Sequence, residues 1–168
     1  MYLSRIVIRN FRNFSNLDIF LKPGVTCFIG ENNTGKTNLF YAIRLLLDSN
    51  LSTQLRTLTE HDIFSRIDIK KPQQVIISLE FCDYSNKENE CALVGCWSIT
   101  EDTARLNYRF RPKQTIRDAF EVGEAIPEEL TLDDYSWELT GGGLNDPVSV
   151  EWNEELGQAI RSSDLQQF

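Results

Sequence analysis

One stretch of this sequence has the residue types and spacing for phosphate chemistry: Gly30-Glu31-Asn32-Asn33-Thr34-Gly35-Lys36-Thr37. A glycine, four residues, then Gly-Lys-Thr is the spacing of a P-loop. Gly30 lets the chain turn sharply, and Gly35 lets the backbone pass against phosphate oxygens with no Cβ in the way. The N–H groups from about Asn33 to Thr37 then form an anion nest at a helix N-terminus, with Asn38 directly behind. Lys36 is the candidate catalytic residue, its ammonium set between β- and γ-phosphates. The Thr37 hydroxyl is the candidate Mg²⁺ ligand. The expected ligand is a nucleoside triphosphate with Mg²⁺.

The chemistry demands a strand before the loop and a helix after it. Residues 25–29 are a short, almost wholly apolar run, which predicts a strand buried on both faces. Residues 37–48 have helical spacing, with Leu39, Ile43, Leu46 and Leu47 on one face and Phe40 beside it. Upstream, Leu3, Ile6 and Ile8 alternate with Ser4, Arg5 and Arg9, which predicts a strand over 2–9. Residues 9–16 read as a polar and aromatic turn, 17–21 as a second strand, and Pro23-Gly24 as a further turn. Residues 49–74 read as loop with a short helix. Strand-like runs at 75–81, 92–100 and 104–110, separated by turns at 83–90 and 101–103, predict an antiparallel meander. A short helix is expected over 114–122. A wide-looped hairpin is expected from 135–140 and 148–152, and a final helix begins at 154–160. No repeat or low-complexity segment is visible.

The 168 residues suffice for one core, or a core with a small appended subdomain. With 41% apolar and 25% charged residues, the composition is that of an ordinary globular domain. No apolar run approaches the roughly 20 residues that span a bilayer. The N-terminus lacks the features of a signal peptide. A cytoplasmic protein without membrane contact is the expectation. Cys27, Cys82, Cys91 and Cys96 include no Cys-x-x-Cys pair, and the single His61 is remote from all four, so they read as reduced, partly buried thiols on strands. The net charge of −8 hides an asymmetry: residues 1–117 hold 16 basic and 12 acidic side chains, and 118–168 hold 13 acidic and one basic, Arg161. The acidic end reads as a solvated surface, with an acidic flap on a basic partner as the other option.

The residues around the loop carry a family likeness. Phe28-Ile29-Gly30-Glu31-Asn32-Asn33-Thr34-Gly35-Lys36-Thr37-Asn38-Leu39-Phe40-Tyr41-Ala42-Ile43 resembles the ABC-type ATPase heads of the RecF and SMC group. Within that group it is most similar to the OLD (overcoming lysogenisation defect) family. Ile6-Val7-Ile8-Arg9-Asn10-Phe11-Arg12-Asn13-Phe14 matches the group's opening strand and Asn-Phe-Arg turn. The likeness covers about residues 2–47. It implies a mixed α/β head that binds ATP and Mg²⁺ and pairs head-to-head around nucleotide, acting on DNA, with additional protein partners open. For the OLD family it further implies a Toprim nuclease domain after the ATPase, and antiphage defence. In related heads an arginine of that turn lies near the nucleotide, so Arg12 is a candidate second contact; a solvated turn arginine is the other reading.

The departures set limits. No apolar strand ending in paired carboxylates follows the loop. Leu139-Thr140-Gly141-Gly142-Gly143 looks superficially like a signature motif, but Asn145-Asp146-Pro147 follows where a helix would have to start, so a hairpin loop is the better reading. Gln73 and Gln74 fit a γ-phosphate sensor or a strand edge equally. Arg105, Arg109, Arg111, Lys113 and Arg117 fit a phosphate-tracking cluster or a solvated strand edge. The expected fold class is therefore mixed α/β: a P-loop ABC-type head lobe with an antiparallel meander, incomplete within this chain. Its parts are a core at 1–48, the meander at 75–110 and an acidic segment at 118–168. The alternative is a nucleotide-sensing assembly module that binds ATP without turnover. A kinase or GTPase is disfavoured by the antiparallel run, where βα alternation would have to continue.

Overall fold

The computed structural model of the chain describes residues 1–31, 34–121, 123 and 127–142. It opens with a hairpin of β1 (Tyr2–Phe11) and β2 (Phe14–Phe20). After the loop come α1 (Lys36–Leu47), a short α2 (Thr53–Arg56) and a 3-10 turn at Glu60–Asp62. β3 (Val75–Cys82), α3 (Glu88–Val94), β4 (Ser98–Thr100) and β5 (Thr103–Pro112) follow. The described chain ends with α4 (Gln114–Glu121) and β6 (Tyr135–Gly141). The six strands form one sheet in the order β2-β1-β3-β5-β4, and β6 pairs with β5. Every pairing is antiparallel.

Period-two alternation divides the sheet into two unlike faces. Ile6 and Ile8 of β1, Ile77 and Leu79 of β3, and Leu106, Tyr108 and Phe110 of β5 share one core with Leu39, Ala42, Leu45 and Leu46 of α1. Burying each of those leucines contributes about 1.5–3 kcal/mol, so α1 is held mainly by this stripe. The register puts Arg5, Arg9, Ser78, Glu80, Arg105, Asn107, Arg109 and Glu138 on the opposite face. A second small cluster of Tyr84, Val94 and Ala104 fixes α3 to the far end of the sheet.

The antiparallel α/β architecture follows the expectation, and several details differ. The run 92–100 is a strand only at its last three residues, because Glu88–Val94 winds into α3 and a 3-10 turn continues it through Trp97. β3 consequently pairs with β5, and β4 contacts only the start of β5. The turn expected at 9–16 narrows to Arg12 and Asn13, with the rest taken into the hairpin. Positive φ at Asn10 (58°) and Arg12 (50°) reverses the chain so tightly. The buried face of α1 is centred on Leu39, Ala42, Leu45 and Leu46; Phe40 and Leu47 are 57% and 49% exposed. Residues 25–29 do not form a strand, and Val25 and Ile29 are 95% and 94% exposed. A strand buried on both faces needs a neighbour on each side, and no described strand pairs with this run. All four cysteines are free; only Cys82 lies on a strand, and Cys27 and Cys96 are exposed. The expected strand at 148–152 and helix at 154–160 lie outside the described residues.

Candidate nucleotide-binding site

Gly35 is the N-cap of α1, with φ 96° and ψ 6°. That left-handed conformation is open to glycine at little cost and opposed by a side chain. A Cβ there would also stand 2.3 Å from the Asn13 amide nitrogen, so the hairpin turn presses directly on the loop's exit. The first intrahelical bond runs from Leu39 N to Gly35 O at 2.9 Å. The N–H groups of Lys36, Thr37 and Asn38 precede it and have no carbonyl one turn back within the helix to accept them. No acidic residue sits in the first turn of α1 to compete for them. This donor set suits an anion of the size and charge of a phosphate.

The rest of the loop is exposed and internally tied. Lys36 Nζ donates to the carbonyls of Gly30 and of Glu31, the latter at 2.5 Å. Thr34 Oγ1 donates to Glu31 O at 2.9 Å. Thr37 is exposed at the helix start. Asn32 and Asn33 lie outside the described residues. Gly30 and Glu31 are thus tied by hydrogen bonds to Thr34 and Lys36, and Thr34 to Asn38 run into α1.

Arg12 is brought to the start of α1 by the hairpin. Its Nε and its NH2 lie 2.9 and 2.8 Å from Asp62 Oδ1, and its NH1 donates to Asn38 Oδ1 at 2.9 Å. The guanidinium lies 4.3 Å over the Tyr41 ring, a cation–π contact from the next turn of α1. Asn38 in turn donates to Asn13 Oδ1 at 2.7 Å. The solvated alternative for Arg12 therefore gives way to a fixed arginine beside the first turn of α1. Burial pushes Asp62 up, but hydrogen bonds from Thr59 and the Arg12 guanidinium outweigh it and hold the carboxyl below its usual range.

Asp62 and Asn13 carry no signal in the sequence, because their partners lie far along the chain and their types are ordinary for turns. Thr59 followed three residues later by Asp62 was the one local clue, since that spacing is a capping box. Gln73 and Gln74 lead into β3 and are buried; the Tyr135 hydroxyl accepts from Gln73 N, and Gln74 O accepts from the Asn10 amide. The arginine cluster is not a strand edge. β5 lies between β3 and β6, Arg105 pairs with Glu80 at 2.6 Å, and Arg111 and Arg117 converge on Glu138 at 2.7 and 3.2 Å. Those carboxylates are cross-strand partners, which sequence spacing does not reveal. Gly141 ends β6 because the Trp97 ring occupies the place of a Cβ, and Gly142, at φ 67°, donates its N–H to Arg105 O. The rest of the expected hairpin, from residue 143 on, lies outside the described residues. Among the described residues no helix is long and apolar enough to cross a membrane.

The chain is similar to several known proteins. RecF of Listeria monocytogenes, a DNA replication and repair protein, is 45% identical over 62 residues, which is 37% of this chain and 16% of that protein. RecF of Glaesserella parasuis is 30% identical over 159 residues, covering 90% of this chain and 38% of the relative. The endonuclease GajA of Bacillus cereus is 34% identical over 95 residues, 56% of this chain and 16% of GajA. The chain therefore spans well under half the length of these relatives. A solved SMC ATPase chain is 20% identical with a TM-score of 0.46, covering 84% of this chain and 71% of that one. The profile of the AAA ATPase domain family AAA_15 matches residues 1–138. With most of its length under that match, the chain belongs to the AAA_15 family of AAA ATPase domains.

Proposed function

We propose that this chain is the ATP-binding N-terminal lobe of an ABC-type ATPase head coupled to DNA processing. The observation that carries the reading is the loop from Gly30 to Thr37. It leads into α1 through a left-handed Gly35 that the hairpin turn locks from behind. Family membership supports ATPase chemistry in general. The names of the RecF and GajA relatives, a DNA replication and repair protein and an endonuclease, support the link to DNA.

ATP with Mg²⁺ would supply the phosphoryl group and the charge that polarises it. The chain's own residues do the holding. N–H groups of the first turn of α1 receive phosphate oxygens, and Gly35 keeps that approach clear. Lys36 exchanges its loop carbonyls for phosphate, a stronger partner for an ammonium. The Thr37 hydroxyl is the one side-chain oxygen of the Gly-Lys-Thr run and the metal's ligand. Arg12, held beside Asn38, adds a second positive charge. In the finer reading the head is OLD-like, pairs with a second head around nucleotide in the cytoplasm, and works with a Toprim nuclease domain in antiphage defence. Titration of a fluorescent ATP analogue against the parent and Lys36→Ala tests the core of this. The variant is expected to melt like the parent and to bind at least a hundredfold more weakly. Equal affinity in both would sink the phosphate-cradle assignment.

A further inference from the structure

The Arg12 side chain is over-determined for a turn residue. The Asp62 carboxylate divides its two oxygens: Oδ2 accepts from Thr59 N at 3.0 Å and Thr59 Oγ1 at 2.8 Å, and Oδ1 faces Arg12. The backbones are tied as well, with Arg12 N donating to Asp62 O at 2.8 Å and Phe64 N to Asn10 O at 2.9 Å. Between them, Phe11 and Ile63 form an isolated bridge. The segment Asp62–Phe64 is thus tied to the hairpin at Asn10, Phe11 and Arg12.

From there the polar chain runs only one way. Arg12 reaches Asn38, Asn38 reaches Asn13, and the Asn13 amide lies against the Cα of Gly35. We infer that Asp62 is the positioning residue of the phosphate loop, holding Arg12 at the first turn of α1 and, through Asn38 and Asn13, holding Gly35 in its left-handed conformation. The inference rests on the nucleotide-binding reading above and goes beyond it, since the Asp62 carboxylate is bonded to Thr59 and Arg12 and not to the described residues of the loop. An ion pair needed only for the fold would have no reason to continue to the glycine. With 8% of its surface exposed, Asp62 has little competition from water for this pairing. The carboxylate takes the Nε side of the guanidinium, and the NH1 side is directed at α1.

The test is a double-mutant cycle read as Mg²⁺-ATP affinity, using the fluorescent analogue on the whole chain. Asp62→Asn keeps the size and can still accept from Thr59, but loses the charge. It should bind about tenfold more weakly, the scale of one lost charge-assisted bond. Arg12→Ala should lose as much or more, and the double variant should be no weaker than Arg12→Ala alone. Asp62→Glu should recover part of the loss. Parental or tighter binding by Asp62→Asn, or fully additive losses, would overturn the assignment. Should Asp62→Asn not fold, Asn13→Ala carries the test: it is an exposed position that cuts the relay at the loop end without touching the ion pair. It should weaken binding about threefold at an unchanged melting temperature, and parental affinity there overturns the relay. Loss of binding in Lys36→Ala beside normal binding in Asp62→Asn would reject the positioning role alone. Normal binding in both would reject the nucleotide reading itself.

Discussion

Gly35 carries two separate requirements, a backbone one and a steric one, and they can be measured apart. The left-handed φ of 96° costs a side-chain-bearing residue about 1–2 kcal/mol. The Cβ would in addition displace the Asn13 side chain. Gly35→Ala should therefore lower stability by more than the backbone cost alone, and Asn13→Ala placed on top should recover the excess. Thermal melts of the three variants check this; no recovery would mean that the contact with Asn13 is loose. Thr37 gives a second prediction at this scale. Thr37→Val keeps size and branching and removes the only oxygen. It should reduce affinity for Mg²⁺-ATP by about tenfold or more, with little change for ATP in EDTA. An identical loss under both conditions would remove Thr37 from the metal's ligands. The loop was legible in the sequence because its spacing is local. Asp62 and Asn13 were not, because they act through contacts 50 and 25 residues distant, made by types that any turn uses.

At the scale of elements, what the sequence revealed depended on whether an element's partners lay close by. β1, β3 and β5 were read correctly from alternation, since their apolar residues face one shared core. The face of α1 was read partly off, with Leu39 and Leu46 buried as expected but Ala42 and Leu45 in place of Ile43 and Leu47, because leucines continue around the helix and only packing selects among them. The run at 25–29 has the composition of a central strand, but composition cannot supply the neighbours such a strand requires. The arginines of β5 fitted a phosphate-tracking cluster or a solvated edge equally in the sequence, and the register places Glu80 and Glu138 across from Arg105 and Arg109. Glu138 yields a pH prediction. Burial pushes it up, but hydrogen bonds and charge from Arg111 and Arg117 outweigh this and set it below its usual 4.5. The unfolded chain then holds the extra proton between the folded and unfolded pKa. Its stability contribution is present above the unfolded value and is lost as pH falls through the folded one. Glu138→Gln should cost about 1–3 kcal/mol at pH 7, because Arg111 and Arg117 are buried and lose a carboxylate. Urea midpoints of parent and variant should converge as pH falls below about 4. A gap that stays constant with pH would mean that the charge is not what Glu138 contributes.

For the molecule as a whole, binding and turnover of nucleotide make different demands on the chain. Binding needs the anion nest, Lys36 and the Mg²⁺ ligand, and the Gly30–Thr37 loop spans only eight residues. Hydrolysis also needs an attacking water held in line and charge neutralised on the far side of the γ-phosphate, and such electrostatic placement supplies most of phosphoryl-transfer catalysis. Asp62 and Glu138 are committed to arginines. Residues 25–29 form no strand and are almost fully exposed at both ends of the run, with Phe28 of the run packed on the core and edge-on to Phe40. A loop supported on one side only should bind weakly, because the nucleotide must also offset the entropy of ordering it. The 1–168 chain is therefore expected to bind the ATP analogue at tens of micromolar or weaker, about 6 kcal/mol of binding free energy. Its phosphate release should stay at background, while a polypeptide extended to the length of the RecF or GajA relatives should release phosphate and lose that activity on Lys36→Ala. Robust turnover by residues 1–168 alone, abolished by Lys36→Ala, would show instead that this lobe holds its own catalytic water, and would favour a compact P-loop enzyme over a lobe that needs a second surface.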